Sequence, residues 1–159
     1  VQQHDHAAYP VRKIVLQTDL SEYIFAPSKE LTTVHQKLMA AQEKKRRDSL
    51  FLHYSQGLRE TVFIVSDALK PDLEALTGKQ QLIKSIGDLT AVSLLFPDGT
   101  EVVPGIFYRF IRPLAWESIS IVEIVSTWSE LTFIFQRQDA DRAFTVLKQV
   151  TEEVSPTAL

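Results

Sequence analysis

Residues 90–149 alternate short apolar runs with polar breaks, and the order of these runs constrains the fold more than any other part of the sequence. Read along the chain, they predict a strand, a helix, two strands joined by a tight hairpin, and a final helix. Residues 119–125 show the near-alternation of a strand with one buried face. Ala143, Val146 and Leu147 recur at helical spacing. Short strands mixed with helices predict an α+β fold.

Pro104 and Gly105 stand at the predicted start of the first helix in this segment. A proline in the first turn loses no helical hydrogen bond, and a glycine lets a ligand approach the backbone closely. The last helix has Asp139 as its predicted N-cap residue. Both helix starts are therefore marked in the sequence.

Four short motifs of this segment lie at the helix start, at the entry to the next strand, at the hairpin and in the final helix. In that order they are Pro104-Gly105-Ile106, Ile119-Ser120-Ile121, Ser126 with Trp128-Ser129-Glu130, and Asp139-Ala140-Asp141-Arg142-Ala143. Together with the order of the elements, these motifs resemble the ACT domain of amino-acid-sensing proteins, and most of all the second ACT domain of aspartokinases.

The first half of the chain repeats the same order of elements with little sequence identity, as is expected when two similar units share one chain. Ser28 is the predicted N-cap of its long helix. Gly87 and Asp88 are predicted to turn its last strand into the strand at residue 90. The predicted elements are strands at 11–16 and 23–26, a helix at 29–47, a hairpin of 50–54 and 61–65, a helix at 68–76, and a strand at 81–86.

The resemblance implies an α+β fold of two ferredoxin-like (βαββαβ) ACT-like units, each with an antiparallel sheet and its helices on one face. Residues 18–88 would form the first unit and residues 89–150 the second. Because no fourth strand follows Val150, we expect residues 11–17 to complete the second unit, as in the aspartokinase pair. Residues 1–10 and 151–159 are expected to be flexible tails.

In ACT domains the loop between the first strand and the first helix binds the amino-acid effector, with help from a neighbouring unit. Unpaired N–H groups and the positive end of the helix dipole suit a carboxylate at such a helix start. Asp98 or Glu101 would hold the ligand's ammonium group. The alternative is that Pro104-Gly105 only begins a helix and binds nothing. The implied ligand-binding residues are Asp98, Glu101, Val103, Pro104, Gly105 and Ile106 from the loop, and Ser118, Ile119 and Ser120 from before the next strand.

Composition excludes several classes of function. A net charge of −3 argues against general nucleic-acid binding, and the chain has no cysteine for disulfides or thiolate metal sites. No apolar run approaches the roughly 20 residues needed to span a membrane, and no signal peptide is visible, so we expect a cytoplasmic protein. His4, Asp5 and His6 could hold a metal, but a polar tail explains them better, and we expect no metal and no cofactor.

No phosphate-binding glycine loop or catalytic triad spacing is present, so we do not expect an enzyme. Glu123 and Glu130 near the hairpin are better explained as surface strand positions than as an acid/base pair. His53 is better explained as a sheet residue than as a catalytic base. Trp128 could stack on a ligand, belong to the core or contact another subunit.

The leading prediction is a non-catalytic regulatory module that binds a small amino acid at an interface of ACT units and mediates oligomerisation, as an allosteric homodimer. One alternative is a ligand-free ACT-like dimerisation protein. Another is a regulatory fragment of a larger protein, such as a transcriptional regulator whose DNA-binding part precedes Val1. An enzyme built on the same scaffold is a further alternative, because a fold does not determine a function.

Overall fold

The computed structural model describes residues 11–45, 50–98 and 104–152, and its fold is α+β, as predicted. A short 3-10 helix, Asp67–Leu69, precedes the second α-helix. The strands are β1 (Lys13–Phe25), β2 (Leu52–Gln56), β3 (Thr61–Ser66), β4 (Leu82–Leu95), β5 (Glu123–Ser126) and β6 (Glu130–Gln136), and the helices are α1 (Glu30–Lys44), α2 (Lys70–Thr77), α3 (Ile106–Trp116) and α4 (Arg137–Glu152).

The strands are antiparallel and hydrogen-bonded in the order β2-β3-β1-β4-β6-β5. The chain divides into two compact units, one containing Gln17–Leu89 and the other containing the described residues on either side of that range. The first unit has the order β2-β3-β1-β4, and the second has β1-β4-β6-β5. Strands β1 and β4 each have residues in both units.

The prediction of two strands with a turn between them was wrong for both β1 and β4. Each is one continuous strand, but Asp19 in β1 and Asp88 in β4 have left-handed φ angles of 59° and 52°. Aspartate tolerates this conformation better than most residues. Both lie within three residues of the boundary between the units. The polar residues that predicted turns thus adopt a left-handed backbone inside continuous strands.

In the unit Gln17–Leu89, α1 and α2 cover one face of the strands. Leu31, Val34 and Leu38 recur every three or four residues of α1, so all three face the strands. The aromatic rings of Phe25 and Phe63 meet edge to face at a centroid distance of 6.0 Å. The buried core of this unit is Tyr23, Phe25, Leu31, Val34, Leu38, Phe63, Val65, Leu69 and Leu73.

Two polar contacts attach the second helical segment of this unit to β1. The Ser21 hydroxyl donates to Asp67 Oδ1 at 2.6 Å, and the Tyr23 hydroxyl donates to Glu74 Oε1 at 2.7 Å. Burial of the Tyr23 ring, followed by its contact with Glu74, raises the pKa of this phenol well above its ordinary value. The phenol is therefore neutral throughout the physiological range and acts as a structural hydrogen-bond donor.

In the other unit, α3 and α4 cover the strands. The Arg12 N–H donates to Leu95 O at 2.7 Å, and Val11 and Ile14 pack against the core. Apolar spacing of four residues puts Ile106, Phe110 and Leu114 on the inner side of α3. The buried core is Val92, Leu94, Phe96, Ile106, Phe110, Leu114, Ile119, Leu131, Phe133, Phe135, Ala143 and Leu147.

A buried polar network lies on the other face of this unit's strands. The Thr132 hydroxyl donates to Glu130 Oε1 at 2.8 Å, and Ser93 Oγ lies 2.6 Å from Thr132 Oγ1. Because Thr132 uses its proton on Glu130, Ser93 is the donor to Thr132. Both hydroxyls are buried, so the network ties β4 to β6.

Several predicted element boundaries differ from the structure. Helix α1 begins at Glu30, and its N-cap is Lys29 instead of the predicted Ser28, which lies one residue before the N-cap. Helix α4 begins at Arg137, which places Asp139 in the first turn, and it continues to Glu152, two residues into the predicted tail. Strand β5 begins only at Glu123. The predicted tail residues 1–10, including the His4-Asp5-His6 cluster, lie outside the described residues, as do residues 46 and 47 of the predicted first helix.

No helix in the part of the chain that the structure describes is long and apolar enough to cross a membrane.

Candidate functional site

The predicted ligand loop ends at the start of α3, where Gly105 is the N-cap. Gly105 has φ 88° and ψ 0°, a left-handed conformation that favours glycine. Among the described residues, no side chain caps α3, and its first turn has no acidic residue. A Cβ atom built on Gly105 would meet no described atom within 4 Å. The helix start therefore combines N–H groups that no described side chain caps, the positive end of the dipole and space on its described side, which together suit an anion.

The other loop residues contribute unequally. Asp98 and Pro104 are exposed, whereas the Ile106 side chain is buried against the core. Ile106 can therefore offer a ligand its backbone N–H group but little of its side chain. Glu101 and Val103 lie outside the described residues, within the gap at 99–103.

The second predicted group follows the C-terminal end of α3. The Ile119 N–H donates to Leu114 O, and the Ser118 N–H donates to Ala115 O, both at 3.0 Å. With Ser118 at φ 54°, these bonds form a Schellman motif that ends the helix. Ile119 is buried, while Ser118 and Ser120 are exposed. Ser118 thus has a structural role that the sequence analysis did not foresee.

The described residues of the two predicted groups lie at opposite ends of α3. Gly105 precedes α3 and Ser118 follows it, and a helix of 11 residues rises about 16 Å. A single amino acid is too short to contact both ends. The described residues of the two groups can therefore contact one amino acid only if the groups come from different copies of the chain.

A shallow groove of about 420 Å³ lies at the C-terminal end of α3, on the side of α4. Arg142 occupies it, donating to Glu117 O at 2.6 Å and lying 3.7 Å from the Asp139 carboxylate. Its guanidinium is already occupied by these protein groups. The groove is lined by Glu117, Asp141, Arg142, Thr145, Val146 and Gln149, none of which belongs to the predicted site.

Groups suited to catalysis are dispersed. Glu130 accepts a hydrogen bond from Thr132, and Glu123 lies on the neighbouring strand β5. Burial, followed by the nearby charge of His35, lowers the pKa of His53, which lies half-buried in β2. Trp128 is 73% exposed at the hairpin tip and is not part of the core. Within residues 11–45, 50–98 and 104–152, no three His, Asp or Glu side chains cluster as metal ligands.

The outer face of α3 carries a cluster that the sequence analysis missed. The Arg112 guanidinium carbon lies 4.2 Å from the Trp116 ring centroid and 5.9 Å from that of Tyr108. The signal was present in the sequence, because positions 108, 112 and 116 are four apart and share one helix face.

No protein-family model matches the chain, and no curated protein matches it. Solved structures do match. Aspartate kinase from Clostridium acetobutylicum aligns with 94% of this chain and 37% of its own, at 12% identity and a TM-score of 0.68. The ligand-free regulatory subunit of aspartate kinase from Thermus thermophilus aligns with 88% of this chain and 97% of its own, at 16% identity and a TM-score of 0.65.

E. coli aspartokinase III, solved in complex with lysine and aspartate, aligns with 96% of this chain and 35% of its own, at 13% identity and a TM-score of 0.62. This chain thus spans little more than a third of the two whole kinases and nearly all of the Thermus regulatory subunit. At such low identities the likeness shows the fold. The chain has the fold of aspartate kinase regulatory regions.

Proposed function

We propose that this protein is a non-catalytic regulatory module made of two ferredoxin-like ACT units, which binds a small amino acid. Residues 18–88 would form one unit, and residues 89–150 with residues 11–17 the other. The strand orders β2-β3-β1-β4 and β1-β4-β6-β5 support this division, because each places a unit's strands in the ferredoxin-like order. The structural likeness to a regulatory subunit of aspartate kinase supports a regulatory role.

The observation that carries the proposal is the uncapped start of α3 at Gly105. The α-carboxylate of an amino acid would accept hydrogen bonds from the first N–H groups of the helix. Asp98 lies exposed on the other side of the loop and would attract the ammonium group, with Glu101 as the other candidate. Val103, Pro104 and Ile106 would complete the loop side of the site. A zwitterion fits because the two ends of the loop offer opposite charge.

Ser118, Ile119 and Ser120 would come from a second copy of the chain, since they lie at the far end of α3. Binding would then favour one dimeric arrangement over others, which is the physical requirement for a ligand to regulate assembly. The proposal therefore links amino-acid binding to homodimer formation.

The experiment is a thermal-shift and calorimetric screen of the common amino acids, with lysine and aspartate first because aspartokinase III was solved with both. A ligand at 100 times its Kd adds about 2.7 kcal/mol of stability. For a chain of this size that raises Tm by about 5–10 °C. Absence of both heat and shift with every amino acid would refute the proposed function.

The position of the site has its own control. Asp98→Asn should reduce affinity at least tenfold, whereas Asp72→Asn, which removes an acidic charge in the other unit, should leave the ligand-induced shift unchanged. Equal binding by both variants would place the ligand elsewhere.

The two-copy arrangement is tested by mixing variants. Asp98→Asn and Ser120→Glu should each bind at least tenfold more weakly when alone, but a mixed dimer contains one site in which both contributions are unaltered. Calorimetry of the mixture should recover the tight binding that each variant lacks. If the mixture shows no recovered binding heat while the wild type binds, each site is built from one chain.

The second candidate function is ligand-free dimerisation or interaction. The exposed rings of Trp116 and Trp128 favour it, because large aromatic side chains are enriched at protein interfaces. It predicts a dimer whose dissociation constant does not change when any amino acid is added. Analytical ultracentrifugation with and without the amino acids distinguishes the two functions.

A further inference from the structure

Helix α3 presents a cluster of interface-type side chains to solvent, which we call the ladder and define as Tyr108, Arg112 and Trp116. Tyr108 is 63% exposed and Trp116 72% exposed, and the adjacent Phe107 is also exposed. Spacing of four residues puts the three ladder side chains on one face, away from the buried stripe of the helix. Exposed aromatic residues grouped this closely are unusual on a surface that only meets water.

The ladder is held in a defined arrangement. Arg112 lies within cation–π distance of both rings, at 4.2 Å from Trp116 and 5.9 Å from Tyr108. Among the described residues, no carboxylate is within ion-pair distance of Arg112. Stacking keeps the guanidinium in place, so a binding partner would lose less side-chain entropy in fixing it. A stacked guanidinium can still offer the N–H groups at its edge to a carboxylate.

Charge indicates the chemistry of the partner. Residues 104–116 contain Arg109 and Arg112 and no Asp, Glu, Lys or His, although the whole chain has a net charge of −3. Tryptophan, tyrosine and arginine are also the residues that most often dominate binding energy at protein interfaces. A complementary surface would offer a carboxylate flanked by apolar side chains.

We propose that the ladder is the docking surface for a different protein, which binds through an acidic segment that also carries apolar side chains. A second copy of this chain fits less well, because both copies would bring the same arginines and no carboxylate from residues 104–116, and a two-fold axis at the centre of the ladder would place Arg112 against its symmetry mate. A nucleic acid fits less well, because two arginines on an acidic chain neutralise few phosphates. This inference does not depend on amino-acid binding at Gly105.

The test uses the full chain and a defined probe. A library of random 16-residue peptides is selected on the immobilised protein, and the selected peptides are labelled and titrated by fluorescence anisotropy. We expect the selected peptides to be enriched in Asp or Glu together with Leu, Phe or Trp. Their binding should weaken at least tenfold with Arg112→Gln or Trp116→Ala, and it should weaken as salt is added.

Trp128→Ala is the matched control, because Trp128 is equally exposed but lies on the hairpin of the same unit. It should leave the peptide affinity unchanged. Arg112→Lys separates geometry from charge, since it keeps the charge but loses the planar group that stacks and forms paired hydrogen bonds. It should bind nearly as weakly as Arg112→Gln. Unchanged circular dichroism and Tm in each ladder variant would show that the fold is intact.

Four results would overturn the proposal. The first is a selected set without acidic enrichment, and the second is equal weakening by Trp128→Ala and Trp116→Ala. The third is a wild-type oligomer in ultracentrifugation that dissociates with Trp116→Ala, which would make the occupant a second copy. Tight binding of single-stranded RNA that depends on the ladder would likewise replace the protein partner with a nucleic acid.

Discussion

Gly105→Ala tests whether the start of α3 depends on the left-handed backbone at this position. The new methyl group would meet no described atom within 4 Å, so the expected cost comes from the backbone. A non-glycine residue at a positive φ such as 88° costs about 1–3 kcal/mol. Alanine also lowers the conformational entropy of the unfolded chain, which offsets this cost by about 0.4–1 kcal/mol. We therefore expect a net loss of about 1–2 kcal/mol in the free energy of unfolding.

Gly78→Ala is the matched control, since Gly78 has a right-handed helical backbone with φ −57° and ψ −18°. Its added Cβ would lie 3.7 Å from Glu74 O, an ordinary contact. This variant should gain about 0.4–1 kcal/mol from the unfolded state. Gly105→Asn should lose less than Gly105→Ala, because asparagine tolerates the left-handed region.

Urea denaturation followed by circular dichroism measures these differences. The two alanine variants should differ by about 2 kcal/mol, with opposite signs relative to the wild type. If Gly105→Ala were as stable as Gly78→Ala, the left-handed N-cap would not exist in solution. The geometry that supports the anion site would then have to be abandoned.

Two further predictions concern polar groups. Thr132→Val deprives Ser93 of its acceptor and Glu130 of its donor, so it should lower the free energy of unfolding by about 1–3 kcal/mol in urea denaturation. Adding Ser93→Ala to this variant should lower stability by less than Ser93→Ala does alone. Fully additive losses would argue against the network. The raised pKa of Tyr23 means that, above about pH 10, the unfolded state loses this proton while the folded state keeps it, so stability falls as pH rises through that range. Tyr23→Phe should make stability fall less steeply with pH. At neutral pH the lost hydrogen bond to Glu74 should lower the stability of this variant by about 0.5–1.5 kcal/mol. An equally steep fall with pH in the variant would contradict the assignment to Tyr23.

Local sequence patterns predicted much of the element order. The stripe of Leu31, Val34 and Leu38 indicated α1, and Pro104-Gly105 indicated the start of α3. These predictions succeeded because helical periodicity and N-terminal helix signals act over a few residues. The α+β class followed from the order of the elements. The residues that would bind an amino acid remain a prediction that rests on resemblance.

The sequence alone therefore determined which segments become helices and strands, and which faces of them are apolar. Only the tertiary structure decided that β1 and β4 continue as strands through Asp19 and Asp88, because strand order joins segments that are distant in sequence and local patterns do not show it. It also decided that Ser118 ends α3 in a Schellman motif, at the far end of a helix that rises about 16 Å after Gly105. Burial of the inner stripe of α3 left Tyr108, Arg112 and Trp116 facing water, and a sequence cannot show which side of a helix its neighbours will cover.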